Sequence, residues 1–120
     1  MTTVLVVDAA NVVGARPDGW WKDRAGAAQR LHDDLLHADV PHDEIVLVLE
    51  GQAKNGVAAG GPRSLRVVHA HQDGDSEIRR QAERAAAAGK QVTVVTADRA
   101  LAANVQPAQV LSPTWLLDRM

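Results

Sequence analysis

Val4-Leu5-Val6-Val7-Asp8 is an aliphatic run closed by an acid, and three more runs of the same build follow it along the chain. Ile45–Leu49 leads into Glu50, Leu65–His69 is followed after a short loop by Asp75, and Val92–Thr96 stops just short of Asp98. Each run is continuously apolar, as a parallel strand covered by helices on both faces requires, whereas a strand with one wet face would alternate. A fifth, short strand is expected at Val110-Leu111. Between the first two runs, Arg24 to Ala38 sets Ala28, Leu31, Leu35 and Ala38 on one stripe, with Arg30, Asp33, Asp34 and His37 elsewhere, the pattern of an amphipathic helix. Asp75 is expected to cap a second helix over Ser76–Ala88, stopped by Gly89, and Asp98 a shorter one over Arg99–Ala103. Ser112-Pro113 opens a terminal helix that carries Trp115 and Leu116. Gly51–Arg63 holds four glycines and Pro62 without periodicity and reads as a mobile loop. This order predicts a three-layer α/β/α sandwich around a mainly parallel sheet of four to five strands, with right-handed crossovers.

A chain of 120 residues has room for one such domain, spanning 1–120, and one function built on its core. With no cysteine, disulfides, thiol catalysis and cysteine-ligated zinc are excluded, which suits a reducing compartment. Met1-Thr2-Thr3 shows neither a basic start nor a cleavage pattern, and no apolar run approaches the roughly 18 residues of a membrane span, so a cytoplasmic protein without membrane contact is expected. Trp20, Trp21 and Trp115 are the only aromatics, too few for a broad platform that stacks single-stranded nucleic acid. Thirteen basic against fifteen acidic residues leave a formal charge of −2, so long-range attraction to a polyanion is weak and any such contact is local or metal-assisted.

Ligands of parallel α/β folds sit beyond the carboxyl ends of the strands. Asp8, Glu50, Asp75 and Asp98 all fall at that edge. Any one of them alone is the usual helix cap or solvated turn residue. Four together repel one another unless a cation lies between them, and hard divalent ions such as Mg²⁺ take oxygen ligands.

The segment Val6-Val7-Asp8-Ala9-Ala10-Asn11-Val12-Val13-Gly14 resembles the opening motif of NYN domains, PIN-like ribonucleases, and in particular their small bacterial YacP-like branch. Val48-Leu49-Glu50-Gly51, Gly74-Asp75-Ser76-Glu77-Ile78, Val94-Val95-Thr96-Ala97-Asp98-Arg99 and Ser112-Pro113-Thr114-Trp115-Leu116-Leu117 follow in the family's order, so the resemblance covers nearly the whole chain. It implies a PIN-like fold and a Mg²⁺- or Mn²⁺-dependent site that hydrolyses RNA. Asp8, Asp75 and Asp98 match the family's acidic positions, and Asn11 matches the asparagine after the first acid. Glu50 stands where relatives often have Asp, and Ser76 where close relatives often have a second acid. The chain is also short for the family, the Gly51–Arg63 loop being a candidate replacement for a helix.

On chemical grounds a metal held by Asp8 and Asp98 would lower the pKa of a water and polarise a phosphoryl oxygen, with Asp75 as a further ligand or as the base. Asn11 either holds a carboxylate or a ligand water, or is a turn amide bonded to its own backbone. Arg16, Trp20, Lys22, Thr96 and Arg99 are the candidate substrate contacts. Trp20 and Trp21 read either as packing at the start of the first long helix or as a stacking surface for a base, with Lys22 or Arg16 on phosphate. Lys54, Arg63 and Arg99 are phosphate candidates of the same kind, or solvated charges.

His69-Ala70-His71-Gln72-Asp73-Gly74-Asp75 has the His-x-His spacing of a metallo-β-lactamase site, but Gly74 stands where that motif needs histidine. HAD-type phosphohydrolases need a second Asp where this chain has Ala10, no Walker or Rossmann glycine loop occurs, and a receiver domain's acidic pair is absent. Metal-dependent RNA hydrolysis is thus the leading expectation. Its alternatives are a non-catalytic RNA- or nucleotide-binding module on the same fold and the toxin of a toxin–antitoxin pair. A homodimer or a small protein partner is compatible with each.

Overall fold

The computed structural model describes residues 1–120 and contains strands β1 (Thr3–Asp8), β2 (Glu44–Leu49), β3 (Arg66–His69), β4 (Gln91–Val95) and β5 (Gln109–Leu111). They form one sheet in the order β3-β2-β1-β4-β5, and every neighbouring pair is parallel. Helices α1 (Ala9–Gly14), α2 (Arg24–Leu35), α3 (Gly74–Ala87), α4 (Arg99–Asn104) and α5 (Pro113–Leu117) cover its two faces. No helix is long and apolar enough to cross a membrane.

The alternation of side chains along each strand explains why the runs are apolar throughout. Leu5 and Val7 of β1 and Ile45, Leu47 and Leu49 of β2 point to the face packed by Leu31 and Leu35 of α2 and Leu116 of α5. Val4 and Val6, Val46 and Val48, and Val92 and Val94 of β4 meet Ile78 of α3 and Leu101 of α4 on the other face. Each fully buried Val or Leu contributes about 1.5–3 kcal/mol of transfer free energy, so both halves of the pattern are needed.

Several local expectations are corrected. Asp23 caps α2 by accepting from the Gly26 amide at 2.9 Å, and the helix ends at Leu35 rather than Ala38. Its end tightens there, because the amides of His37 and Ala38 turn to the carbonyls of Asp34 and Leu35, three residues back. Asp73, not Asp75, caps α3, its carboxylate taking the Ser76 amide at 2.7 Å and the Ser76 hydroxyl at 3.1 Å. Trp20–Lys22 form a separate 3-10 turn ahead of the Asp23 cap.

Gly51–Arg63 is not a mobile loop. Gly51–Asn55 make a 3-10 turn, and Gly60 exchanges both backbone hydrogen bonds with Val67 at the edge of the sheet. Gly56 lies so close to α2 that a Cβ there would collide with the Ala25 carbonyl oxygen. Contact with α2, which composition does not report, is what orders this segment.

The chain leaves β1 into α1, whose Ala9 and Val12 join the α2 face, and leaves β4 into α4 on the opposite face. The carboxyl ends of β1 and β4 therefore form a topological switch point, where the departing connections open a crevice.

Candidate active site

Asp8 is the last residue of the central strand, and only 4% of it is exposed. One of its oxygens, Oδ2, accepts from Asn11 Nδ2 at 2.6 Å and from the Thr96 hydroxyl at 2.8 Å. Asn11 Oδ1 in turn accepts from the Ala97 amide at 3.3 Å, and Thr96 Oγ1 from the Asp98 amide at 3.1 Å. A closed ring of bonds thus ties the end of β1 to the loop after β4, across the switch point. Asp8 occupies the N-cap position of α1 without a well-formed side-chain hydrogen bond to that helix, the Asn11 amide lying only near enough to help draw its pKa down. Burial pushes its carboxyl above the ordinary carboxylate range, against the opposing pull of the Thr96 and Asn11 hydrogen bonds, and the charge of Glu50 adds to the rise.

The other three acids lie at the same edge of the sheet with different duties. Asp98 caps α4, its Oδ1 accepting from the Leu101 amide at 3.0 Å. Glu50 Oε2 accepts from the Gly74 amide at 2.7 Å, bracing the start of α3. A Cβ at Gly74 would stand only 3.0 Å from the Glu50 carboxyl carbon, so any larger residue would push that carboxylate aside. Asp75, released from capping by Asp73, sits exposed in the first turn of α3 and takes part in none of the side-chain hydrogen bonds. Partial desolvation raises its carboxyl, and the charges of Asp98, Asp8, Asp73 and Glu50 raise it further, so these acids share one field. Asp73 is held below the usual range by its bonds to Ser76.

The donor chemistry fits a hard divalent cation. Asp8 Oδ1, Glu50 Oε1 and Asp98 Oδ2 carry no hydrogen bond while their partner oxygens do, and both Asp75 oxygens are unengaged. The arrangement does not close on its own, because no three acidic or histidine side chains stand close enough together to hold one ion. Asp75, unbonded and exposed, is the side chain best able to swing inward.

The predicted substrate residues divide. Thr96 is buried and orients Asp8, so it presents nothing to a substrate. Arg16 is bound to Asp34 at 2.7 Å. Lys22 and Arg99 are exposed and make no ion pair, as a phosphate contact requires. Trp20 meets Trp21 edge-on at 5.9 Å, lies under the Arg24 guanidinium at 5.0 Å, and walls a cavity of about 360 Å³ that also reaches Glu50, Gln72 and Asp73. Lys54 is spent on the Ala70 carbonyl at 3.1 Å, and His69 on the Val57 carbonyl at 2.7 Å. Sequence reading missed the parts played by Gly74 and Gln72. The only signal was their place beside Asp73 and Asp75.

The fold and the site define a class, a five-stranded parallel α/β domain with an acid at each inner strand end, closed over a switch point. Among solved structures the chain is similar to Rae1 (YacP) from Bacillus subtilis, determined as a W164L mutant, with a TM-score of 0.65 and 19% sequence identity over 98% of this chain and 74% of that one. At that identity the likeness establishes a YacP-like fold. No protein-family model matches the chain, and no curated protein does.

Proposed function

We propose that the chain is a divalent-metal-dependent endoribonuclease that hydrolyses RNA phosphodiester bonds at the acidic strand-end site. The observation that carries this reading is Asp8: a carboxylate buried at the end of the central strand, oriented by Asn11 and Thr96, that caps no helix although it stands at a cap position. Burying a charge without such a duty is costly, and a cation is the partner that offsets it. Asp8, Asp75, Asp98 and Glu50 would hold Mg²⁺ or Mn²⁺, which when bound polarises the phosphoryl oxygen and lowers the pKa of a water.

The remaining chemistry belongs to the chain. Asn11 and Thr96 aim Asp8 and oppose the rise that burial gives its pKa, and Asp98 is held by its cap bond. Where Asp8, Asp98 and Glu50 suffice to hold the ion, Asp75, raised and unbonded, is suited instead to take the proton of the attacking water. Lys22 and Arg99 are free to meet phosphate, and the Trp20 cavity offers a stacking wall. The resemblance to NYN domains supports RNA as the substrate.

A second reading, a non-catalytic RNA-binding module, is favoured by one observation: the acids do not close into a three-ligand group, and Ser76 spends its hydroxyl on Asp73. A cleavage assay on RNA and DNA with Mn²⁺, Mg²⁺ or EDTA separates the two. RNA cut with either ion and intact in EDTA supports the nuclease. RNA bound but never cut supports the module, and RNA neither bound nor cut removes both.

A further inference from the structure

The opposite end of the sheet carries the other sign of charge. Arg63 and Arg66 before and at the start of β3, Arg84 in the last turn of α3, and Lys90 before β4 line one cleft of about 140 Å³. β1 runs between the two ends, and the four residue steps from Val4, in the cleft lining, to Asp8 separate the cleft from the acids by about 13 Å. Glu44 is the one acid in the lining; Lys90 pairs with its charge and donates to its Oε1 at 3.2 Å, while Oε2 is buried without a hydrogen bond. The chain as a whole has a formal charge of −2, so three uncompensated guanidinium groups facing one hollow are a local concentration against the average.

The cleft is also built. Arg66 donates to Gln81 Oε1 at 3.2 Å, and Gln81, itself only 4% exposed, donates to Glu77 Oε2 at 2.8 Å. Buried Glu77 is gripped in turn by Arg80 through two bonds at 3.0 and 3.2 Å. This chain of bonds fixes one guanidinium in the cleft while leaving Arg63 and Arg84 without ion pairs. A role in offsetting the helix dipole accounts for Arg84, in the last turn of α3, but not for Arg63 or Arg66.

We propose that this cleft is a phosphate-binding site separate from the acidic site, and that its ligand is the backbone of RNA. The fork of a guanidinium matches phosphate oxygens two at a time. The volume suits a phosphate group better than a whole nucleotide, since pockets that enclose small organic ligands run to roughly 300 Å³ and more. RNA as the source of the phosphate rests on the proposed function. Carboxylates at the acidic edge repel a polyanion, and a cationic hold at the far end of the sheet supplies the attraction that edge lacks.

The test is fluorescence anisotropy of a labelled single-stranded RNA in EDTA over a range of salt, comparing the parent with the double variant Arg63→Ala/Arg84→Ala. The slope of log affinity against log salt should flatten by about 0.7, the share of the one phosphate contact that the cleft supplies, with several-fold weaker binding at low salt. Melting temperature should change only slightly, since neither side chain has a hydrogen bond or ion pair to lose and only the favourable placement of Arg84 at the end of α3 goes. In parallel, NMR follows the resonances of Arg63, Arg66, Arg84 and Lys90 as RNA or inorganic phosphate is added. If the parent fails to bind RNA while inorganic phosphate moves those resonances, the cleft stands as a phosphate site and it is the RNA reading that fails. RNA bound with an unchanged slope in the double variant, or resonances that respond to neither ligand, overturns the proposal.

Discussion

The hydroxyl of Thr96 donates to Oδ2 of Asp8 at 2.8 Å, joining two residues 88 positions apart across the crevice between β1 and β4. A buried carboxylate that loses a donor loses more than the mean worth of a hydrogen bond, because its desolvation is left uncompensated. Thr96→Val keeps the shape and removes the donor. It should lower unfolding free energy by about 1–3 kcal/mol in urea at neutral pH, while Thr96→Ser restores most of the loss. A Thr96→Val protein as stable as the parent would show that the bond holds nothing in place.

The order of the segment after β2 rests on a backbone contact. With a Cβ at residue 56, the Ala25 carbonyl of α2 has to move, and backbone gives way less readily than a side-chain tip. Gly56→Ala is therefore expected to destabilise by about 1–3 kcal/mol, the usual cost of overpacking. If this stretch were loosely attached, denaturant midpoints of variant and parent would coincide.

What was legible in the sequence follows from what each signal depends on. The strands and α2 were legible because burial on two faces writes itself as an apolar run or a 3.6-residue stripe, and the four strand-end acids follow from the runs. Cap assignment at Asp73 against Asp75 was not legible, since both precede α3 within the reach of a cap and only backbone geometry chooses. Neither was α1, six residues long and without a clear stripe. Thr96 stood among the candidate substrate contacts. Its duty depends on a neighbour from the far end of the chain, which no local pattern encodes.

Stability should also fall on mild acidification for a reason remote from the acids. His42 packs edge-on against Trp115 at 6.0 Å, with Nδ1 buried and unpartnered, and burial lowers its pKa from 6.5 against the opposing effect of Asp43. A histidine depressed in the folded state contributes stability above its unfolded pKa, and that contribution is lost as pH falls from 6.5 through the folded value. Asp43, held low by the amide and hydroxyl of Thr3, adds a second loss only below its unfolded 3.8. His42→Leu keeps the apolar contact and removes the titration. Its melting temperature should stay flat as the pH falls below 6.5, where the parent's declines. Parallel profiles for the two proteins would acquit His42.

The sharpest division between catalysis and folding lies at Asp8 and Asp98, which differ in structural duty. Asp8 caps nothing and is destabilised by its own burial, so in the metal-free protein Asp8→Asn should be as stable as the parent or more so, its amide oxygen still accepting from Asn11 and Thr96. Asp98 does cap α4 through the Leu101 amide, and Asn keeps that bond, so Asp98→Asn should fold normally as well. Both variants are expected to lose RNA cleavage and to lose the stabilisation that Mn²⁺ gives the parent. That stabilisation should reach about 2.7 kcal/mol when the ion is at ~100 times its dissociation constant. Asp118→Asn, exposed at the end of α5 and without a side-chain hydrogen bond, is the control and should change neither property. Measured together, the melting curves with and without Mn²⁺ and the cleavage rates leave little room for a merely structural account. Variants that keep cutting RNA would remove the acids from the chemistry, and a parent that neither cuts RNA nor gains stability from Mn²⁺ would leave the binding module as the surviving reading.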